Sequence, residues 1–174
     1  MKRALDIITA VTGLIIFSPI FLLVTAAIKL DARGPIFRTQ RRYCYDNKPV
    51  RIIRFRPNTR IGPLLSRTGI NGLPTLINIL IGEMSIVGPC AYFITPSMIL
   101  GERILQLAQT DRLRPGLTGW AQVHGFWDGS NTPEAMRRQI EYDLFYVANW
   151  SLLLDARVIL MTLFSSRAYA SNQW

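Results

Sequence analysis

Histidine and cysteine are nearly absent: His124 stands alone, and Cys44 and Cys90 are the two thiols. This excludes a zinc cage, an iron–sulfur centre and a framework of several disulfides, so a bound metal has to be a hard cation held by oxygen. With no other mark of a small secreted scaffold, the two cysteines read as free thiols of a reducing compartment. Charge is scarce as well. Asp, Glu, Lys and Arg make up 18% of the 174 residues and hydrophobic residues 49%, against a usual charged share of about 25%. Such a chain is not disordered; it needs burial in protein or lipid. Its length suits about one domain, and no repeat, low-complexity tract or linker divides it.

The charge that is present is concentrated. Residues 29–67 hold eleven bases (Lys29, Arg33, Arg38, Arg41, Arg42, Lys48, Arg51, Arg54, Arg56, Arg60, Arg67) and two acids (Asp31, Asp46), which accounts for the whole net charge of +9. A positive stretch of this density calls for an anionic counterpart: a phospholipid leaflet, a phosphorylated substrate or nucleic acid. No nucleic-acid recognition motif accompanies it, so a membrane-tethered nucleic-acid binder is the weakest of the three and no nucleic-acid partner is expected.

The segment before it favours the leaflet. Ala4 to Ile28 is a run of 25 residues with a single charge, Asp6, long enough as a helix to cross about 30 Å of hydrocarbon. Ser18-Pro19 falls in its middle, and bases flank both ends (Lys2 and Arg3; Lys29, Arg33 and Arg38), which places both ends on the cytoplasmic side. Pro19 lacks an N–H, and the Ser18 hydroxyl can satisfy the carbonyl thereby freed, so the pair suits the bend of a re-entrant anchor. A straight, proline-kinked signal anchor and a cleaved signal peptide are the alternatives; Thr25-Ala26-Ala27 is a weak cleavage site.

Further along, the turn signal Asp46-Asn47-Lys48-Pro49 separates Phe37–Tyr45 from Val50–Phe55, which predicts a short hairpin. Leu73–Leu80 reads as a short apolar helix, followed by a loop around Gly82 and Gly88-Pro89. Met98–Ala108 carries a helical stripe, Arg114-Pro115-Gly116 a turn, and Met136, Ile140, Leu144 and Val147 helical spacing. Leu152–Phe164, broken by Asp155, Arg157 and Thr162, is too short to span a bilayer but suits an interface or a core. The expected fold is α+β and mainly helical, with a re-entrant membrane helix over 1–33 and, over 34–174, a compact cytosolic domain of interfacial amphipathic helices and a short β-hairpin.

Several motifs occur together in one order: Ser18-Pro19, Gly34-Pro35 with Phe37, Gln40 and Arg42, Arg54-Phe55-Arg56, Leu73-Pro74, Gly82-Glu83-Met84-Ser85-Ile86-Val87-Gly88-Pro89, Arg114-Pro115-Gly116-Leu117-Thr118-Gly119-Trp120-Ala121-Gln122-Val123, and Tyr142-Asp143 through Tyr146, Asn149-Trp150-Ser151 and Asp155. In these the chain resembles the bacterial sugar transferases, the monotopic phosphoglycosyl transferases, in their short form. The resemblance implies transfer of a sugar phosphate from a nucleotide diphosphate sugar to polyprenyl phosphate, in exopolysaccharide or glycan initiation at the cytoplasmic face of the bacterial inner membrane. It implies an aspartate nucleophile, a glutamate holding Mg²⁺, and arginines that clamp phosphate. Arg42, Arg54, Arg56, Arg114 and Gln122 occupy the phosphate- and substrate-binding positions, and Glu83 is a further candidate metal ligand. Inner-membrane phospholipid and an active sugar transferase are the other partners to consider.

The departures fall where the chemistry belongs. The family's Leu-Asp-Glu-Leu-Pro-Gln reads Ile70-Asn71-Gly72-Leu73-Pro74-Thr75, so Asn71 stands at the nucleophile position and Gly72 at the metal-ligand position. Gly-Pro-Arg-Pro reads Gly88-Pro89-Cys90-Ala91, and a usual glycine is Cys44. Asn71 is expected to serve as a helix N-cap; an amide is a poor nucleophile, so impaired turnover, or an inactive relative that still binds substrate or an active transferase, is expected. His124 is given no role.

Overall fold

The computed structural model describes residues 2–31, 33–43, 49–91, 114–126 and 133–164. The turn at 46–48 and the helix expected over 98–108 lie outside them. The chain begins with α1 (Lys2–Asp31), a single helix that continues through Pro19. At that point the Ile15 carbonyl has no N–H to receive, and the Ser18 hydroxyl donates to it at 2.8 Å, as the sequence suggests.

One face of α1 lies on the rest of the molecule along its whole length. Ala10 is buried with Val50, Ile52, Leu76, Ile79 and Met84, while Val24 and Ile28 pack with Phe55 and Leu65. Each large side chain buried in this way contributes roughly 1.5–3 kcal/mol. The opposite face is bare: Ile8, Ile15, Ile16, Leu22, Leu23 and Leu30 are all exposed, Leu30 to 90%.

The polar residues at the start of α1 are used as fasteners. Lys2 Nζ donates to Asp155 at 2.7 Å and to the Tyr146 hydroxyl at 2.8 Å. Arg3 caps the carbonyls of Ile79 and Leu80. Asp6, the charge inside the apolar run, is buried and accepts hydrogen bonds from the Ser85 hydroxyl and the Ile86 N–H. At the far end Asp31 accepts the Arg60 N–H at 2.6 Å.

The predicted hairpin forms from β1 (Phe37–Tyr43) and β2 (Pro49–Phe55), antiparallel, in register from Phe37 opposite Phe55 to Tyr43 opposite Pro49. Val50 and Ile52 point into the core; Phe55, at odd spacing, turns to the other face and meets Phe21 of α1 at 5.0 Å between ring centroids. Then come α2 (Gly62–Arg67), a 3₁₀ turn at Ile70–Gly72, and α3 (Thr75–Ile81). The helix expected at Leu73 starts two residues later, after Pro74.

The loop around Gly88 and the turn at Gly116 contain a small sheet that the sequence did not announce. β3 (Ser85–Val87) pairs in parallel with β4 (Gly116–Thr118). Glycine is required at the crossing: a Cβ on Gly116 would fall 2.2 Å from the Gly88 nitrogen. The short α4 (Trp120–Val123), α5 (Pro133–Ala148) and α6 (Leu152–Phe164) complete the described residues. On α6, Val158 is buried with Val87, Val123 and Tyr146, whereas Leu153, Leu160, Leu163 and Phe164 are exposed. The molecule is therefore mainly helical, with a long apolar N-terminal helix and a small antiparallel sheet.

Candidate anion-binding site

The inward face of the hairpin continues the Val50–Ile52 row with Arg54, while β1 places Arg42 opposite Val50. These two arginines meet Thr75, Cys90, Leu117 and Gln122 around a cavity of about 30 Å³. That is room for one water-sized group. Arg42 is 4% exposed and donates to the Ala91 carbonyl at 3.2 Å and to Gln40 Oε1 at 3.5 Å. Burial, and then the neighbouring charge of Arg54, lowers its pKa to about 9. Burial also lowers that of Arg54. Both are charged at neutral pH, in a setting where the charge is poorly solvated; an entering anion would relieve both. The Arg54 Nε and Gln122 Oε1 atoms are buried without a hydrogen-bond partner among the described residues.

Cys90 takes the place of an arginine expected on the family pattern. Its N–H donates to the buried Asp143 at 3.0 Å. Burial, and next the Asp143 carboxylate, pushes its thiol pKa well up, so it remains a neutral thiol and is not a substitute nucleophile.

Asn71 lies inside the 3₁₀ turn, not at a helix end, which overturns its expected role as an N-cap. Pro74 occupies that position, and Asn71 Nδ2 donates instead to Ser66 Oγ at 3.4 Å. The side chain is 4% exposed, and its Oδ1 is buried with no partner among the described residues. Gly72 lies beside Leu117, a residue of the cavity wall, without lining the cavity itself: a Cβ there would meet Leu117 Cδ1 at 4.0 Å. Neither altered position lines the cavity, and neither brings a charge to it.

The remaining expected residues lie elsewhere. Arg56 lies in a second groove with Arg38. Arg114 is exposed, its guanidinium beside Gly82 and Arg3. Glu83, two residues past the end of α3, accepts a hydrogen bond from Asn78 Nδ2 at 2.8 Å, and Asn78 also binds the backbone of Arg51 and Ile53. Ser18 and Pro19 are mid-helix. His124 has a packing role, its ring 4.3 Å from Trp120 and 5.0 Å from Tyr142. Mg²⁺ does not fit this donor set: Gly72 offers nothing, Asn71 faces Ser66 and Glu83 is engaged. Among the described residues no group of three His, Cys, Asp or Glu is placed to hold a metal ion. Thr75 and Asp143 join the site without having been singled out for it, although Asp143 lies in the Tyr142-Asp143 motif.

The profile of the bacterial sugar transferases matches residues 1–59 and 57–167. Over 94% of its length the chain is 33% identical to the UDP-glucose:undecaprenyl-phosphate glucose-1-phosphate transferase of Escherichia coli (strain K12), covering 39% of that protein. With the exopolysaccharide production protein PSS of Rhizobium leguminosarum bv. phaseoli it shares 34% identity over 95% of this chain and 94% of the relative. The UDP-glucose:undecaprenyl-phosphate glucose-1-phosphate transferase of Caulobacter vibrioides (strain ATCC 19089 / CIP 103742 / CB 15) is 36% identical over 92% of the chain and 67% of the relative. The chain thus spans about two fifths of the E. coli protein and nearly all of the Rhizobium one.

Proposed function

Since this chain belongs to the bacterial sugar transferase family, we propose that it is a sugar-phosphate transferase by descent which keeps substrate binding and has lost most turnover. In this reading it binds a nucleotide diphosphate sugar and polyprenyl phosphate in exopolysaccharide initiation, at the cytoplasmic face of the bacterial inner membrane. Residues 1–33 are the re-entrant anchor and 34–174 the domain that carries the site. Arg42 and Arg54 together take one phosphate oxygen of the diphosphate, which is what the cavity has room for, since buried guanidinium groups form strong, directional bonds to phosphate. Thr75 and Gln122 supply neutral polar contacts. Leu117 and Met84 help keep water out.

The observation that carries the loss of turnover is the state of Asn71. It is a neutral amide, buried, and turned to Ser66, while its neighbour Gly72 has no side chain. In other enzymes loss of the covalent nucleophile costs roughly 10⁴–10⁶ in rate. The test is radiolabelled sugar-phosphate transfer to undecaprenyl phosphate in membranes, with a panel of nucleotide diphosphate sugars. Wild-type protein should transfer nothing above background. Asn71→Asp combined with Gly72→Glu should restore measurable transfer, because a Cβ at Gly72 meets nothing closer than an ordinary contact with Leu117, and only this variant should lose activity to EDTA. Robust wild-type turnover would overturn the proposal.

A further inference from the structure

The cavity between the hairpin and β4 is small, about 30 Å³, and its lining is divided: Arg42 and Arg54 supply charge, while Ile52, Met84, Ala91 and Leu117 supply apolar wall. Arg42 is held in place through the Ala91 carbonyl and Gln40. Arg54 has no such tie. Its Nε is buried without a hydrogen-bond partner, and among the described residues no carboxylate pairs with it. The Thr75 hydroxyl is already engaged, donating to the Ile53 carbonyl at 3.0 Å.

Two guanidinium groups therefore face one small space, and the charge of Arg54 acts against that of Arg42. A water in this space would satisfy Gln122 Oε1, which also lacks a partner among the described residues, but it would leave the buried charge of Arg54 unanswered. A full negative charge answers it. Size narrows the choice, because room for one water-sized group admits a monatomic anion and not a whole carboxylate or phosphate. The apolar wall narrows it further: a small, tightly hydrated ion loses more on leaving water than a larger, weakly hydrated one.

We propose that a weakly hydrated halide, chloride in the first place, occupies the Arg42–Arg54 cavity of the substrate-free protein and has to leave before a diphosphate oxygen enters. Halide concentration then regulates the site. Bromide suits the cavity at least as well as chloride, and fluoride, which holds its water most tightly, suits it poorly. The competition rests on the reading of this cavity as a phosphate-oxygen site; the binding of halide rests on the buried arginines and the size of the space alone.

The test keeps the full chain in detergent micelles at fixed ionic strength and exchanges sodium fluoride for sodium chloride or bromide. Broadening of the chlorine NMR line reports chloride binding directly, and UDP-glucose binding is measured in the same samples. The line should broaden saturably, and bromide and UDP-glucose, but not fluoride, should each reverse the broadening. The melting midpoint should be higher in chloride than in fluoride, against the general salt series, in which the more strongly hydrated anion stabilises more. Affinity for UDP-glucose should fall about three-fold when chloride reaches twice its own Kd, since competition scales as one plus the ratio of ligand concentration to Kd. Arg54→Gln should abolish the broadening, and so should Ala91→Leu, which fills the cavity and leaves both arginines in place; circular dichroism checks that each variant is folded. Arg67→Gln, which removes one exposed charge, should keep it. Broadening that survives in both cavity variants, that is lost equally in Arg67→Gln, or that fluoride reverses as well as bromide does would overturn the proposal. Chloride that UDP-glucose fails to displace would overturn its regulatory half. If wild-type protein binds halide but not UDP-glucose, the function proposed above fails and the halide site stands; if it binds UDP-glucose and no halide, the reverse holds.

Discussion

Asn71 and Gly72 form the dipeptide most open to deamidation, because glycine puts no Cβ in the way of its own nitrogen as it attacks the side-chain amide. In the folded chain that attack is obstructed. The Gly72 N–H is engaged with the Gly69 carbonyl at 3.1 Å, the pair is held in a 3₁₀ turn, and the Asn71 side chain is buried against Ser66. The expected outcome is that Asn71 stays intact in aged native protein at alkaline pH and converts to aspartate and isoaspartate once the protein is unfolded in denaturant. Peptide mapping of the two samples measures this, and equal conversion in both would mean that the turn is not held as described. Residue identity made the altered positions legible in the sequence, since a missing carboxylate needs no coordinates to be noticed. The partners of these residues were not legible. That Asn71 faces Ser66 depends on which face of the turn its side chain takes, and that Arg56 parts company with Arg54 goes with β2 ending at Phe55; a motif read as a string carries neither.

The longer elements were the readable ones. α1 and α6 announce themselves by apolar runs, and the hairpin by a turn signal between two strand-like stretches; β3 and β4 are three residues each and pair across a long sequence separation, so no local pattern reveals them. The charges that interrupt the apolar runs prove to be what joins the elements. Asp155 breaks the run of α6 and receives Lys2 at 2.7 Å, the Tyr146 hydroxyl at 2.6 Å and Trp150 Nε1 at 3.2 Å. Burial and then this carboxylate push the Tyr146 pKa far up, so the phenol stays a donor. An ordered pair of effects follows. Asp155→Leu leaves the largely buried Lys2 ammonium with no carboxylate, facing the Tyr146 hydroxyl and the Tyr146 and Trp150 rings, and should cost roughly 3–5 kcal/mol. Lys2→Met leaves Asp155 with two neutral donors and should cost clearly less. Denaturant unfolding in detergent micelles gives both values; a larger loss for Lys2→Met would mean that the ammonium, not the carboxylate, organises the cluster.

At the scale of the whole molecule the question is how a helix of this length meets a membrane. Thirty residues make about 45 Å of helix, more than the roughly 30 Å of hydrocarbon, so length alone permits a crossing. The packing argues otherwise. Ala10 near one end and Ile28 near the other are buried against the same body, and Lys2 and Asp31 are both tied to it, through Asp155 and Arg60. A crossing helix would carry the hairpin and α2 into the hydrocarbon together with the exposed Arg41, Arg51, Arg60 and Arg67. At about 2.5–3.5 kcal/mol for each arginine at mid-membrane, four of them outweigh what any one packed face contributes. On the anchor reading proposed above, the helix dips its bare face into one leaflet with the domain on the aqueous side, which avoids that cost. Tags placed at the N-terminus and after Arg42 should therefore both be shielded from protease and thiol reagents added on the periplasmic side, and both become reactive when the membrane is opened. Reaction of the N-terminal tag alone from the periplasm would show that α1 crosses, and would require the contacts of Lys2 and Asp6 with the domain to be broken in the membrane.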